Sequence, residues 1–130
     1  MSDNMKNTDF CNCSTIKVIN NLPVELKYQT EYLIDGQFEK CPISSIPPGH
    51  KGIIFKVNDH SNMGLKGGVI YYYDDSDQHR KYVLFEFIHS TNDHTNKFFL
   101  SAAPANTIKW SQTPDNSGNI VYTLHDFKNE

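Results

Sequence analysis

The chain has 130 residues, with 12 Lys and Arg against 15 Asp and Glu, and a formal net charge of −3. That length suits one domain, able to bury roughly two-thirds of its unfolded surface without disulfide or metal staples. The negative balance and the absence of any Lys/Arg cluster exclude the electrostatic footprint of a nucleic-acid-binding protein. Eight Phe, seven Tyr and one Trp, beside only three alanines (Ala102, Ala103, Ala105), favour strands over helices.

In chain order, residues 1–14 are polar and asparagine-rich and read as a loose tail, with a single domain over 15–130. The tail has neither a basic n-region nor an apolar h-region, so the expectation is a soluble protein, cytoplasmic or exported without an ordinary signal peptide. TIKVIN (15–20) is the first strand, broken by NNLP. VELKYQTEYLI (24–34) alternates over eleven residues, with Val24, Leu26, Tyr28, Thr30, Tyr32 and Ile34 on one side. This predicts a half-buried antiparallel strand. Asp35-Gly36 is a hairpin signal from which QFEKC returns. Pro47-Pro48-Gly49 is a tight turn. GIIFKV (52–57), GGVIYYY (67–73), KYVLFEFIH (81–89), NKFFLS (96–101), NTIKWS (106–111) and GNIVYTLHDF (118–127) complete the strands. KYVLFEFIH is apolar on both faces and therefore central. About eight strands with frequent turns and no helical pattern predict an all-β, two-sheet antiparallel sandwich.

In GLKGGVIYYYDDSD, alternation places Tyr71 and Tyr73 on the core side with Val69, and Tyr72 outward in an aromatic patch. Gly67-Gly68 implies close approach by a neighbouring loop. The aromatic residues outnumber what one core layer readily absorbs, so a surplus is expected where an apolar body meets a wet rim.

No nucleophile elbow, P-loop or HExxH occurs, and no enzyme is expected. No cofactor is expected either. His89, Asp93 and His94 lack fixed ligand spacing, and DDSDQH (74–79) lacks the bend glycine of a calcium loop; it reads as an acidic hairpin tip rather than a metal site. Three cysteines (Cys11, Cys13, Cys41) read as reduced thiols, with a bridge from Cys41 to Cys11 or Cys13 as the alternative in an oxidising compartment.

Across residues 15–127 the order and spacing of residues resemble the aegerolysins. The matching features are Ile46-Pro47-Pro48, GIIFKV, Gly64-Leu65-Lys66-Gly67, the strand Val69 to Tyr73, Asp74 to Asp77, YVLFEF, and Thr95-Asn96-Lys97-Phe98. Asn106-Thr107, Lys109-Trp110 and Ser117-Gly118 follow the same order. The resemblance implies an actinoporin-like β-sandwich that docks on membranes by recognising a sphingolipid or phosphoethanolamine head group with sterol. In a two-component cytolysin, a perforin-type partner supplies the pore. It departs at Phe87-Ile88-His89-Ser90-Thr91, where the family carries Trp-Asp-x-Pro-Trp, and at Phe98, where tryptophan is usual. Without an amphipathic N-terminal helix, binding is expected and unaided pore formation is not. The expected docking residues are Tyr72, Phe87, His89, Asn96, Phe98, Lys109 and Trp110, the aromatics inserting at head-group depth and Asn and Lys holding phosphate oxygens. The other reading is a lectin-like or protein-binding sandwich in which the same tyrosines stack on a sugar or a partner.

Overall fold

A computed structural model describes residues 12–59, 64–89, 96–114 and 119–126. The described residues form ten strands and no helix: β1 Asn12–Asn20, β2 Leu26–Asp35, β3 Gln37–Lys40, β4 Ser45–Ile46 and β5 Lys51–Asp59. Then come β6 Leu65–Asp74, β7 Arg80–His89, β8 Asn96–Ala103, β9 Ile108–Pro114 and β10 Ile120–Asp126. They make two five-stranded sheets, ordered β3-β5-β1-β10-β9 and β4-β2-β6-β7-β8. β7 is central, flanked by β6 and β8, as its two apolar faces predict. All pairings are antiparallel except β1 with β10, which run parallel. β1 begins at Asn12, inside the stretch read as tail.

Two further expectations fail for identifiable reasons. Asp35-Gly36 does not close a hairpin, because β3 pairs with β5 in the opposite sheet. Gly36 adopts φ +99°, and a Cβ there would meet Leu65 Cδ2 at 2.4 Å and the Asn58 carbonyl at 2.9 Å. The chain thus turns a corner between sheets, and Phe38 anchors it by an edge-on contact with Phe55. The second failure is the alternation of β2. A bulge between Tyr28 and Thr30 inserts one residue, and one residue is enough to exchange faces. Leu26 and Tyr28 point inward; Thr30 and Tyr32, opposite Ile70 and Gly68, point outward.

The interior is built from rings. Phe55 meets Phe87 across the sheets with centroids 5.7 Å apart, and Phe85 meets Tyr122 at 5.5 Å. Tyr71 packs edge-on against Phe85 and Tyr28, and its hydroxyl donates to the Ile43 carbonyl at 2.7 Å. Tyr71 and Val69 are fully buried and Tyr73 packs against the same core, while Tyr72 takes the opposite face. The tyrosine run therefore alternates as the sequence predicts. The core nevertheless absorbs more rings than composition suggested. Cys41 is an exposed free thiol, so no bridge ties it to the N-terminal segment, but Cys13, expected to be reduced, is disulfide-bonded.

Asn20, the last residue of β1, is fully buried. Its Nδ2 donates to the carbonyls of Ile46 (2.9 Å), Pro47 (3.1 Å) and Val24 (3.2 Å), and its Oδ1 accepts from Leu22 N at 3.0 Å. Its backbone N–H donates to the His50 carbonyl and its carbonyl accepts from Gly49 N. One side chain thus ties the edge strand of the second sheet and the Pro47-Pro48-Gly49 turn to the first sheet. Asn20→Asp removes the amide donors and keeps the shape. It is expected to cost about 3 kcal/mol in urea denaturation, since buried carbonyls lose their partners. The Tyr122 hydroxyl, by contrast, is buried with no hydrogen-bond partner among the described residues. Tyr122→Phe should leave stability unchanged or raise it by about 1 kcal/mol in the same assay.

Candidate ligand-binding site

The residues expected at the docking edge divide among three environments. Phe87 is 1% exposed and belongs to the core, because alternation in β7 sends 83, 85, 87 and 89 inward. It supports the surface from behind and cannot insert into anything. His89 is also buried. Its Nδ1 lies 2.6 Å from Asn96 Oδ1, and with an oxygen as acceptor Nδ1 carries the proton. Phe98 is half-buried against the core. Asn96 and Phe98 face the gap between the sheets, opposite the inner face of β9, where Trp110 is exposed at the sheet margin. Lys109 alternates to the outer face of the first sheet. Tyr72 lies on the outer face of the second sheet, with the Arg80 guanidinium 4.0 Å from its ring centroid. Arg80 is held there by Asp74, whose Oδ1 accepts from Nε at 2.9 Å, and this pairing holds the Asp74 carboxyl below the usual range. The Tyr72 ring is therefore covered by a cation.

The outer face of the second sheet carries a different cluster, absent from the expected set. Cross-strand register aligns Tyr32, Gly68, Glu86 and Phe99 in one row, and Asp35, Lys66, Ile88 and Lys97 in the next. Phe99 is 48% exposed and Ile34 61%, and Tyr32 is also exposed. Tyr32, Lys66, Glu86, Ile88 and Phe99 line a groove of about 300 Å³ with Gly67 in its lining. Neither lysine is ion-paired among the described residues.

Two glycines make this row. A Cβ on Gly67 would meet the Tyr32 carbonyl at 2.5 Å, and one on Gly68 would meet the Tyr32 ring at 2.7 Å. The close neighbour is thus strand β2, not the loop expected from the sequence. The Tyr32 ring lies over the bare backbone of Gly68 and its hydroxyl donates to Glu86 Oε2. Alternation in NKFFLS states that Phe98 and Phe99 face opposite ways. Only the pairing of β8 with β7 decides that Phe99 is the outward one.

The acidic turn is occupied by itself. Asp75 Oδ1 accepts from Asp77 N and His79 N, each at 2.9 Å, and Oδ2 lies 3.3 Å from Lys81 Nζ. These contacts hold its carboxyl below the usual range, the hydrogen bond from His79 contributing most. Ligand atoms of Asp75, Asp77 and His79 lie within 4.8 Å of one another, a spacing the turn's own hydrogen bonds account for. Asp93 and His94 fall outside the described residues. Among the described residues no helix is long and apolar enough to cross a membrane.

No protein-family model matches this chain, and no curated protein matches it in sequence.

Partial burial, and then the Glu86 carboxylate, push the Tyr32 phenol up to about 12. A raised phenol favours the neutral form in the fold. Its contribution is fully present below the unfolded value of about 10 and is lost as pH rises through about 12. In an alkaline titration followed by tyrosinate absorbance, Tyr32→Phe should remove the step at about 12. Gly68→Ala should displace the Tyr32 ring and lower stability by roughly 1–3 kcal/mol in thermal unfolding.

Proposed function

We propose that this chain is a non-catalytic, membrane-lipid-binding module that docks through the outer face of its second sheet. The observation that carries the reading is the row that joins exposed Tyr32 to exposed Phe99, beside half-buried Ile88 and bordered by Lys66 and Lys97, neither ion-paired among the described residues. Such a surface matches the membrane interface. Apolar and aromatic bodies enter at head-group depth while ammonium groups reach phosphate oxygens. With the chain's net negative charge, attraction to a bilayer comes from this patch rather than from the whole molecule. Order and spacing of residues akin to the aegerolysins support a sphingolipid or phosphoethanolamine head group, with sterol, as the target. The same likeness makes the chain the docking component of a two-component cytolysin whose pore former is a perforin-type protein.

Vesicle co-sedimentation tests this with sphingomyelin, ceramide phosphoethanolamine and phosphatidylcholine, each with and without cholesterol. At least one mixture should retain the protein. Phe99→Ala should weaken retention roughly tenfold, the equivalent of about 1.4 kcal/mol of lost burial. Lys66→Gln with Lys97→Gln should weaken it further and flatten its salt dependence. Failure to sediment with every mixture would refute the proposal.

A further inference from the structure

Between the free margins of the two sheets, where β8 faces β9, lies a cleft of about 480 Å³. It differs in chemistry from the outer-face groove. Three carboxamides line it: Asn96, Gln112 and Asn119. Two phenyl rings, Phe98 and Phe99, stand on one side, with Pro114 and Ile120 opposite. Among the described residues the only charged side chain in the lining is Lys97. Two of the amides are fixed by the fold. Asn119 Oδ1 accepts from Thr15 N at 3.0 Å, and Asn96 Oδ1 meets His89 Nδ1 at 2.6 Å. The third, Gln112, is exposed and makes no hydrogen bond to any described residue.

We propose that this cleft binds a neutral saccharide unit. A carboxamide is both donor and acceptor, as is each sugar hydroxyl, so neighbouring amides pair with vicinal hydroxyls without any net charge. Phe98, half-buried, and Phe99, exposed, put aromatic surface in the lining, against which the C–H face of a pyranose can pack. Among the described lining residues a cationic ligand would find no carboxylate, and a multiply charged anion would find one lysine. The volume falls within the range of small-molecule sites, roughly 300–1,000 Å³. Anchoring of Asn96 and Asn119 sets their planes before a ligand arrives, which lowers the ordering cost of binding.

The cleft also adjoins the lipid-docking face. Phe99 and Lys97 sit on β8, the margin the two surfaces share, and both line the cleft while facing outward. The sugar is therefore that of a glycolipid, its ring in the amide cleft and its lipid beneath the outer face. Only this choice of source rests on the lipid-binding reading; the saccharide chemistry stands on the cleft alone.

The test combines two measurements on the full chain. First, galactose, glucose, N-acetylglucosamine and lactose are titrated while side-chain amide resonances are followed by NMR. Expected are shifts of Asn96, Gln112 and Asn119 with at least one sugar, weakened fivefold or more by Gln112→Ala. Gln112 is exposed, so its truncation leaves the fold intact. Second, phosphatidylcholine vesicles with and without galactosylceramide or glucosylceramide are sedimented with wild type and Gln112→Ala. Retention that depends on the glycolipid and drops fivefold or more in Gln112→Ala supports the lipid-linked source. Shifts with free sugars but no preference for glycolipid vesicles overturn that source and retain the saccharide site. Equal sedimentation with sugar-free vesicles, with no amide shift for any sugar and no effect of Gln112→Ala, overturns the saccharide site and leaves the lipid-docking reading standing.

Discussion

The buried amide of Asn20 is the point at which the two halves of this sandwich are tied. Its donors reach carbonyls at Val24, Ile46 and Pro47, and its oxygen takes the N–H of Leu22. Val24, Pro47 and Leu22 belong to irregular chain between strands, and Ile46 to the two-residue edge strand β4. A buried carbonyl left without a donor costs about 1–3 kcal/mol, so one side chain resolves what would otherwise be several defects in the same small volume. It also fixes where β4 pairs with β2, because Ile46 stands opposite Leu26. The rest of the core, the ring-to-ring contacts of Phe55 with Phe87 and Phe85 with Tyr122, can then close between sheets already held in register.

A second constraint shapes the surface. The extra residue in β2 turns Thr30 and Tyr32 away from the core, and the glycine opposite lets the Tyr32 ring lie against bare backbone. An aromatic ring covering a strand glycine shields backbone that no side chain protects. Glu86 then accepts the phenol's hydrogen bond, so the one carboxylate among the described residues lining the outer-face groove is tied to its aromatic wall. Ile34 and Phe99 are left to solvent beside two lysines. Tyr32 is thus turned outward by a specific backbone irregularity, and Phe99 by the register of β8 on β7.

Because β8 is a sheet margin, both of its faces are available to ligands at once. Phe98 and Asn96 look into the gap between sheets, while Phe99 and Lys97 look out over the second sheet. One strand therefore borders both an amide-rich cleft and an apolar, cationic rim. That juxtaposition suits an amphiphile with a polar sugar and an apolar body better than it suits a purely apolar or purely ionic ligand. Tyr72, screened by Arg80, and Phe87, sealed in the core, take no direct part in it.

Local alternation and punctuation made much of this protein legible from its sequence: the all-β class, the central position of KYVLFEFIH, the inward Tyr71 and outward Tyr72, the Pro47-Pro48-Gly49 turn and the acidic hairpin tip between β6 and β7. Each of these depends on neighbours a few residues away, where side-chain period and turn chemistry act directly. The sheet that each strand joins depends on partners far along the chain. Hence Asp35-Gly36 became a corner between sheets once Gly36 packed on Leu65 and Asn58. Likewise the apparent face of Tyr32 was reversed by a bulge that only pairing with β6 reveals. Phe98 and Phe99 are chemically identical, and the sequence could say that they diverge but not which way. That choice, and with it the meeting of Asn96, Gln112 and Asn119 across the margin, required the tertiary structure, since a strand's periodicity states its two faces but not which of them the core will claim.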